Sequence, residues 1–287
     1  MTDLHIHTTS SSDGQHSPQE IIEMARLQGL AAISFTDHMD ISSIPVGLKY
    51  AAPCAFDFFP GVELSTWYEG KEYHLLLYCF TPGETTLTEF LRDSCSRIWD
   101  HAAILIGRFR SQGFDITRDD VRSWGKSVPT GVSFLDALKK RNAHDRRLTE
   151  YLHGDKASSP YLNFYQDFSL TDLSHGLNTV LPDLVQTLDL FQEKGIPILA
   201  HPGKISEDVL DNLKDHGLLG VEAYSSHHDE ETAGHLVKLS RKLGLHISAG
   251  SDFHGELIKP GIRLGAVSGT PDPELISLLK RRMSPWA

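Results

Sequence analysis

The feature that most constrains this chain is a rhythm of short apolar runs, most of which carry histidine, aspartate or glutamate at or near their C-terminal end. Seven such runs stand out: "DLHIH", "AAISFTDH", "FFPGVEL", "EYHLLLYCF", "IPILAHPG", "GVEAYS" and "HISAGSDFHG". Short apolar or β-rich runs bounded by turn signals read as strands buried on both faces. Helical patterns lie between most of them. The best marked is "SPQEIIEMARLQG", where Ser17 and Glu20 form a capping box, Pro18 takes the first helical position and Gly29 supplies the stop. This alternation argues for parallel strands joined by crossovers, and so for an α/β chain folded as a closed or nearly closed seven-stranded β/α barrel.

One long stretch breaks the rhythm. "EFLRDSCSRIWDHAAILIGRFRSQG", "TRDDVRSWG" and "SFLDALKKRN" carry helical periodicity, and no buried strand is legible among them. The expected organisation is a first part of the barrel over 1–84, a helical insertion over 85–181 and a second part of the barrel over 182–287. Within the insertion, "HGDKASSPYLNFYQDFS" reads as loop, and the insertion as a whole is a candidate lid. A chain of 287 residues suits one such barrel.

Composition excludes several classes of function. The formal net charge of −11 works against a broad surface for long nucleic acid or anionic membrane, although a local cationic site would escape that argument. Cys54, Cys79 and Cys95 lack C-x-x-C spacing, which disfavours a disulfide framework or a thiolate zinc site. The first strand begins close to Met1, leaving no room for a signal peptide, and no apolar run nears the roughly 20 residues of a membrane span. The expected location is therefore cytoplasmic.

In parallel α/β architectures, sites are built at the C-terminal edge of the sheet. That edge here collects His5 and His7, Asp37 and His38, Glu63, His201, Glu222, and Asp252 with His254. His74 stands early in its strand and is the exception. The pairs His5/His7 and Asp252/His254 repeat one i, i+2 spacing at opposite ends of the chain, so each pair can share a strand face. If the barrel closes, those two strands are neighbours. Singly, each residue has a plain explanation: a strand-end cap, a helix cap for Asp37 and His38, a turn for Asp13–Gly14, or a local ion pair for Glu63. Jointly, those explanations require many independent accidents on one edge. Imidazole and carboxylate without thiolate suit zinc, iron or manganese.

These residues resemble the polymerase and histidinol phosphatase (PHP) family of metal-dependent phosphoesterases. The resemblance rests on "DLHIHTTSSSDG", "TDH", "GVELS", "EYHLLLY", "LAHPG", "VEAYSSHH" and "GSDFHG", in the family's order and covering all of the barrel. It implies a distorted seven-stranded barrel with two or three divalent ions (Mn, Fe or Zn). Carried over by position, it implies a first ion on His5, His7, Glu63 and Asp252. A second would lie on Glu63, His74 and His201, and a third on Asp13, His38 and His254. The insertion and the "SSDG" turn are most similar to the branch that acts on small nucleotides, which points to a nucleoside 3′,5′-bisphosphate or a short oligonucleotide end as substrate. That branch often carries an Arg and a His before an insertion helix, where this chain has Gly131 and Ser133.

Six neutral histidines and three carboxylates carry a charge of about −3, which three divalent ions turn to about +3, enough to attract a phosphate dianion to an acidic protein. A metal-bound water acidified to a pKa near 7 gives a metal-bound hydroxide able to attack phosphorus in line. The candidate acid is His227, and the candidate phosphate contacts are Lys204 after "HPG" and, from the insertion, Arg122 and Lys126. The expectation is a metal-dependent phosphatase or phosphodiesterase acting on a small phosphorylated molecule. The alternatives are an amidohydrolase-like C–N hydrolase and a non-catalytic metal-binding module.

Overall fold

The computed structural model describes residues 1–81, 83–124, 126–168 and 176–283. Its strands are β1 (Thr2–Ile6), β2 (Ala32–Phe35), β3 (Asp57–Tyr68), β4 (Lys71–Tyr78), β5 (Ile196–Ala200), β6 (Gly220–Ser225) and β7 (His246–Gly250). They form one seven-stranded sheet in sequence order. Every residue of β2 and β5 is buried, as in strands covered on both faces. The sheet closes as expected. Ile6 bridges to Phe253, the His7 N–H donates to the Phe253 carbonyl at 2.9 Å, and the buried Asp3 carboxylate accepts from the Ser251 N–H at 2.8 Å and the Gly265 N–H at 2.7 Å.

The expectation of parallel strands fails at β4, which runs antiparallel to both β3 and β5. Tyr68 pairs with Lys71 across a two-residue turn. Glu69 and Gly70 there both take left-handed backbone, with φ of 46° and 84°, the conformation that a tight hairpin demands. The reversal carries His74 to the functional edge. An early position in an antiparallel strand lies beside the late positions of parallel ones, and His74 pairs with Ser65 on one side and Ala200 on the other.

Helices α1 (Pro18–Gln28) and α2 (Ile44–Ala51) pack on the first half of the barrel; α1 has the capping box and the left-handed Gly29 stop that its sequence requires. The insertion supplies α3 (Thr85–Ser111), α4 (Arg118–Trp124), α5 (Gly131–Arg141), α6 (Arg146–Leu152) and α7 (Pro160–Phe168). The 27-residue α3 ties it down: Leu87, Leu91 and Ile98 join the barrel's core, while Leu105, Ile106 and Phe109 join a second cluster with Phe134, Leu138, Leu148 and Phe164. The stretch read as loop is in part the helix α7. Pro160 occupies its first position and Phe164 is buried against Phe109 and Tyr151, so tertiary packing overrides the turn-rich composition. Ser169, the last residue of that stretch, lies outside the described residues.

After β4 and the insertion, α8 (Leu184–Phe191), α9 (Glu207–Asp215) and α10 (Glu230–Leu243) alternate with the remaining strands. The last helix, α11 (Pro273–Met283), packs Leu275 and Leu279 against Leu4, Phe59, Leu76 and Ile198, at the end of the barrel away from the ligand-bearing edge. Among the described residues, no helix is long and apolar enough to cross a membrane.

Candidate metal centre

The first and last strands do meet, and their polar ends meet with them. His5 Nε2 lies 3.2 Å from His7 Nε2. The Glu63 Oε2 atom is 3.4 Å from His5 Nε2 and 3.1 Å from His7 Nε2. Asp252 Oδ1 is 3.3 Å and 3.1 Å from the same two nitrogens. A register shift against β2 between Asp3 and Ile6 lets Leu4 enter the lower core while His5 turns to the site; irregular pairing re-aims a side chain in this way. Gly250 makes the room. A Cβ there would stand 2.2 Å from the His5 Cβ and 2.6 Å from Glu222 Oε1.

Glu63 faces two groups at once. Its Oε1 lies 2.9 Å from His74 Nδ1 and 3.1 Å from His201 Nε2, while its Oε2 also lies 3.0 Å from His38 Nδ1. Asp13 completes the far side, with Oδ2 at 3.4 Å from His38 Nε2 and 3.8 Å from His254 Nε2. All nine sequence-predicted ligands are therefore brought together. His201 and Asp252 have left-handed backbone, with φ of 22° and 54°, an unfavourable conformation that persists only where the surroundings fix it.

Those surroundings are polar residues that sequence reasoning noticed on the edge without giving them a role. Glu222, fully buried, lies 3.0 Å from His5 Nδ1 and accepts the His201 N–H at 3.0 Å. This holds the His5 ring so that Nε2 faces inward, the support that metal-binding imidazoles characteristically receive. Asp37 accepts from the Thr8 N–H at 2.7 Å, the Thr8 hydroxyl at 2.9 Å, the Ser11 N–H at 3.2 Å and the Ser43 hydroxyl at 2.5 Å. It thus folds the turn that presents Asp13.

The donors fit a cation better than they fit each other. Asp13 Oδ1, Glu63 Oε2 and Asp252 Oδ1 are buried and accept no hydrogen bond of good geometry, although imidazole nitrogens lie within 3.4 Å of the last two. Lone pairs aimed at shared points in space, not at neighbouring N–H groups, produce this pattern. Charge is correspondingly displaced. Burial alone would lower the His5 imidazole, but Glu222, Glu63 and Asp252 hold it well above its usual value. Against the same burial, Asp252 and Glu63 raise His7 to about 9. Burial pushes His201 down to about 4 and His254 to about 3. Burial would raise Glu63 and Asp252, yet His38, His5 and His74 around the first, and Lys259 and His5 around the second, keep both well below the usual carboxylate range.

His227 reaches the same centre, its Nε2 2.7 Å from Asp252 Oδ2. The predicted phosphate contacts do not. Lys204 is exposed and outside the cavity over the site; the Asp229 carboxyl, held below its usual value chiefly by hydrogen bonds from Thr232, also feels its charge. Arg122 is exposed, with its guanidinium 5.5 Å from the Trp99 ring centre, and Lys126 is also exposed; neither lines the cavity. The cation that does is Lys259, which pairs with Asp252 and lies 2.8 Å from His227 Nε2. Sequence reasoning missed it because a lone lysine in a loop beyond β7 has no spacing signal. Its position five residues after His254 was the available hint. The cavity holds about 500 Å3, walled on one side by these polar strand ends and on the other by the insertion.

Comparison with known proteins agrees with this construction. A family model described as "PHP domain" matches residues 3–114. The phosphoribosyl 1,2-cyclic phosphate 1,2-diphosphodiesterase of Eggerthella lenta is 22% identical over 261 residues, covering 88% of this chain and 94% of that protein. A 5′-3′ exoribonuclease of Haemophilus influenzae is 24% identical over 262 residues, covering 88% and 89%. Among solved structures, one from Bifidobacterium adolescentis assigned as a metal-dependent phosphoesterase superposes with a TM-score of 0.77 at 22% identity, covering 98% of this chain and 96% of that one. The family model thus matches the first three ligand-bearing strands and β4 of this chain as a PHP domain, and proteins named as phosphoesterases match the chain over most of its length.

Proposed function

We propose that the chain hydrolyses phosphate esters of small molecules at a centre of two or three divalent transition ions held by His5, His7, Asp13, His38, Glu63, His74, His201, Asp252 and His254. The observation that carries this reading is the convergence of six imidazoles and three carboxylates in overlapping groups, seven of the nine lining one cavity, with one oxygen of each carboxylate buried and accepting no hydrogen bond. When bound, divalent ions supply Lewis acidity and a water activated near neutral pH.

The reaction adds water across a P–O bond: phosphorus gains the water oxygen, and the ester oxygen leaves with a proton. The residues of this chain contribute at defined places. Glu222 and the Asp252 carbonyl hold the Nδ1 atoms of His5 and His254, keeping each Nε2 turned inward. Lys259, at the polar wall beside Asp252, places a positive charge where a phosphate oxygen enters. His227 stands next to both and is the group placed to pass a proton to the leaving oxygen. The insertion covers the centre and limits access of bulk water. The relatives named for cyclic-phosphate and RNA hydrolysis support nucleotide-like phosphate esters as the substrate class, with a nucleoside 3′,5′-bisphosphate and the end of a short oligonucleotide as the candidates to be tested against one another.

The test is a metal count per chain, followed by assays of phosphomonoesters, nucleoside bisphosphates, short oligonucleotides and amides. Two or three ions with phosphate release are expected. Fully metallated protein that releases phosphate from no ester overturns the reading, and amide cleavage in its place would establish C–N hydrolysis.

A further inference from the structure

The cavity has two unlike halves, and the half remote from the metal centre bears on what the substrate carries besides its phosphate. Its wall comes from the insertion and is mostly apolar, with Ile98, Leu105, Val128, Val132 and Phe134, the Tyr161 ring, and the polar His101 and Thr130. The insertion is rich in cations, with thirteen Lys and Arg between 85 and 181. None of them lines the cavity among the described residues, and none of the undescribed positions is Lys or Arg. Several are engaged elsewhere. Lys139 lies 4.6 Å from the centre of the Tyr161 ring and 3.4 Å from Asp136. Arg118 and Arg122 lie over Trp99, at 5.7 and 5.5 Å, and Arg141 pairs with Asp120 at 2.5 Å. The one lysine of the lining, Lys259, belongs to the barrel side, where it meets Asp252. Glu72 adds a negative charge to the lining, 3.4 Å from His74.

We propose that this wall selects a phosphate ester whose other end is a single flat or apolar group, and that it disfavours a second phosphate on that end. The proposal rests on the phosphoesterase reading above and narrows its substrate class. The polar half can take one phosphate. A second one placed against the insertion would lose its hydration mostly to aliphatic and aromatic carbon, with no Lys or Arg of the insertion in the lining to replace the water. A phenyl ring or a nucleobase in the same place buries apolar surface and can stack on Phe134 or Tyr161. About 500 Å3 is in the range of pockets for small organic ligands.

The experiment compares kcat/KM of the metal-loaded protein within two matched pairs. The first is 2-phenylethyl phosphate against glycerol 3-phosphate, both primary alkyl esters, so that leaving-group reactivity is similar. The second is a nucleoside 5′-monophosphate against its 3′,5′-bisphosphate. A preference of about tenfold or more for the first member of each pair is expected, the discrimination that one well-fitted apolar contact provides. Val132→Lys should raise the bisphosphate-to-monophosphate ratio by about tenfold or more, since a cation in the wall supplies what the second phosphate lacks. Gly131→Lys, at a half-exposed lining position, is the second variant should Val132→Lys fold poorly. Smaller preferences in the wild type, or a bisphosphate handled as well as the monophosphate, overturn the proposal while phosphate release keeps the phosphoesterase reading. The latter result would direct the second phosphate to Arg97 and Arg108, which line the adjoining cavity together with His101. No phosphate from any of the four, with metal bound, overturns both.

Discussion

The polar strand ends and the helical cover face each other across one cavity and are held in place by different means. Each ligand at the strand ends depends on a backbone position fixed by the sheet or its loops. His5 needs a register shift, His74 an antiparallel strand, and His201 and Asp252 a left-handed residue after a strand. The cover depends on one local cluster, in which Phe109, Phe134, Leu138 and Phe164 fill space against one another. Contacts of the first kind are directional and fail when an atom moves, whereas apolar packing tolerates exchange at constant volume. Chemistry on one wall and selection on the other can therefore vary separately.

Four measurements sharpen or break that contrast. The largest effect is expected at the strand ends: His201→Ala and Asp252→Ala should each lower turnover by about a thousandfold or more, equivalent to about 4 kcal/mol, and reduce bound metal while circular dichroism stays unchanged. Unaltered activity in either variant removes that residue from the centre. In the cover, Leu138→Ala should cost about 2–5 kcal/mol of stability by leaving a cavity, yet retain the metal stoichiometry of the parent. Loss of metal in that variant would show that the two halves are not independent.

Glu222→Gln tests the orientation of His5 and should lower metal affinity or activity by about 10–100-fold. An affinity and rate matching the parent would mean that the strand alone orients the ring. The smallest effect concerns protons. His7, raised to about 9, is charged at neutral pH in the metal-free protein, whereas His201 and His254, at about 4 and 3, are already neutral. Because the folded value lies above the ordinary 6.5, protonated His7 stabilises the metal-free fold fully below pH 6.5, and that contribution is lost as pH rises through about 9. Metal uptake at pH 7 should accordingly release protons and tighten toward pH 9. Calorimetry in buffers of different ionisation heat would detect the release; zero release at pH 7 would contradict a charged His7.

Much of this was readable because strands have a short period and a polar end. The pairs His5/His7 and Asp252/His254 identified an edge, and the apolar runs identified all seven strands. Lys204, Arg122 and Lys126 were chosen by residue type alone, and the structure places none of them at the cavity. Lys259 went without a role because a lone loop lysine carries no spacing signal, and Glu222 because its partner is distant in sequence: it supports His5 across 217 positions. No local pattern encodes such a pairing.

The sequence by itself determined which residues can ligate a metal, which runs are strands and which segments are helical, since these follow from side-chain chemistry and local periodicity. Tertiary structure decided the rest. The Glu69–Gly70 hairpin reversed β4 and so brought His74 to the edge, sheet closure set β1 beside β7, and packing of the insertion turned its cations away from the cavity and its apolar side toward it. Direction and proximity of this kind arise only when distant strands pair and distant faces are buried together.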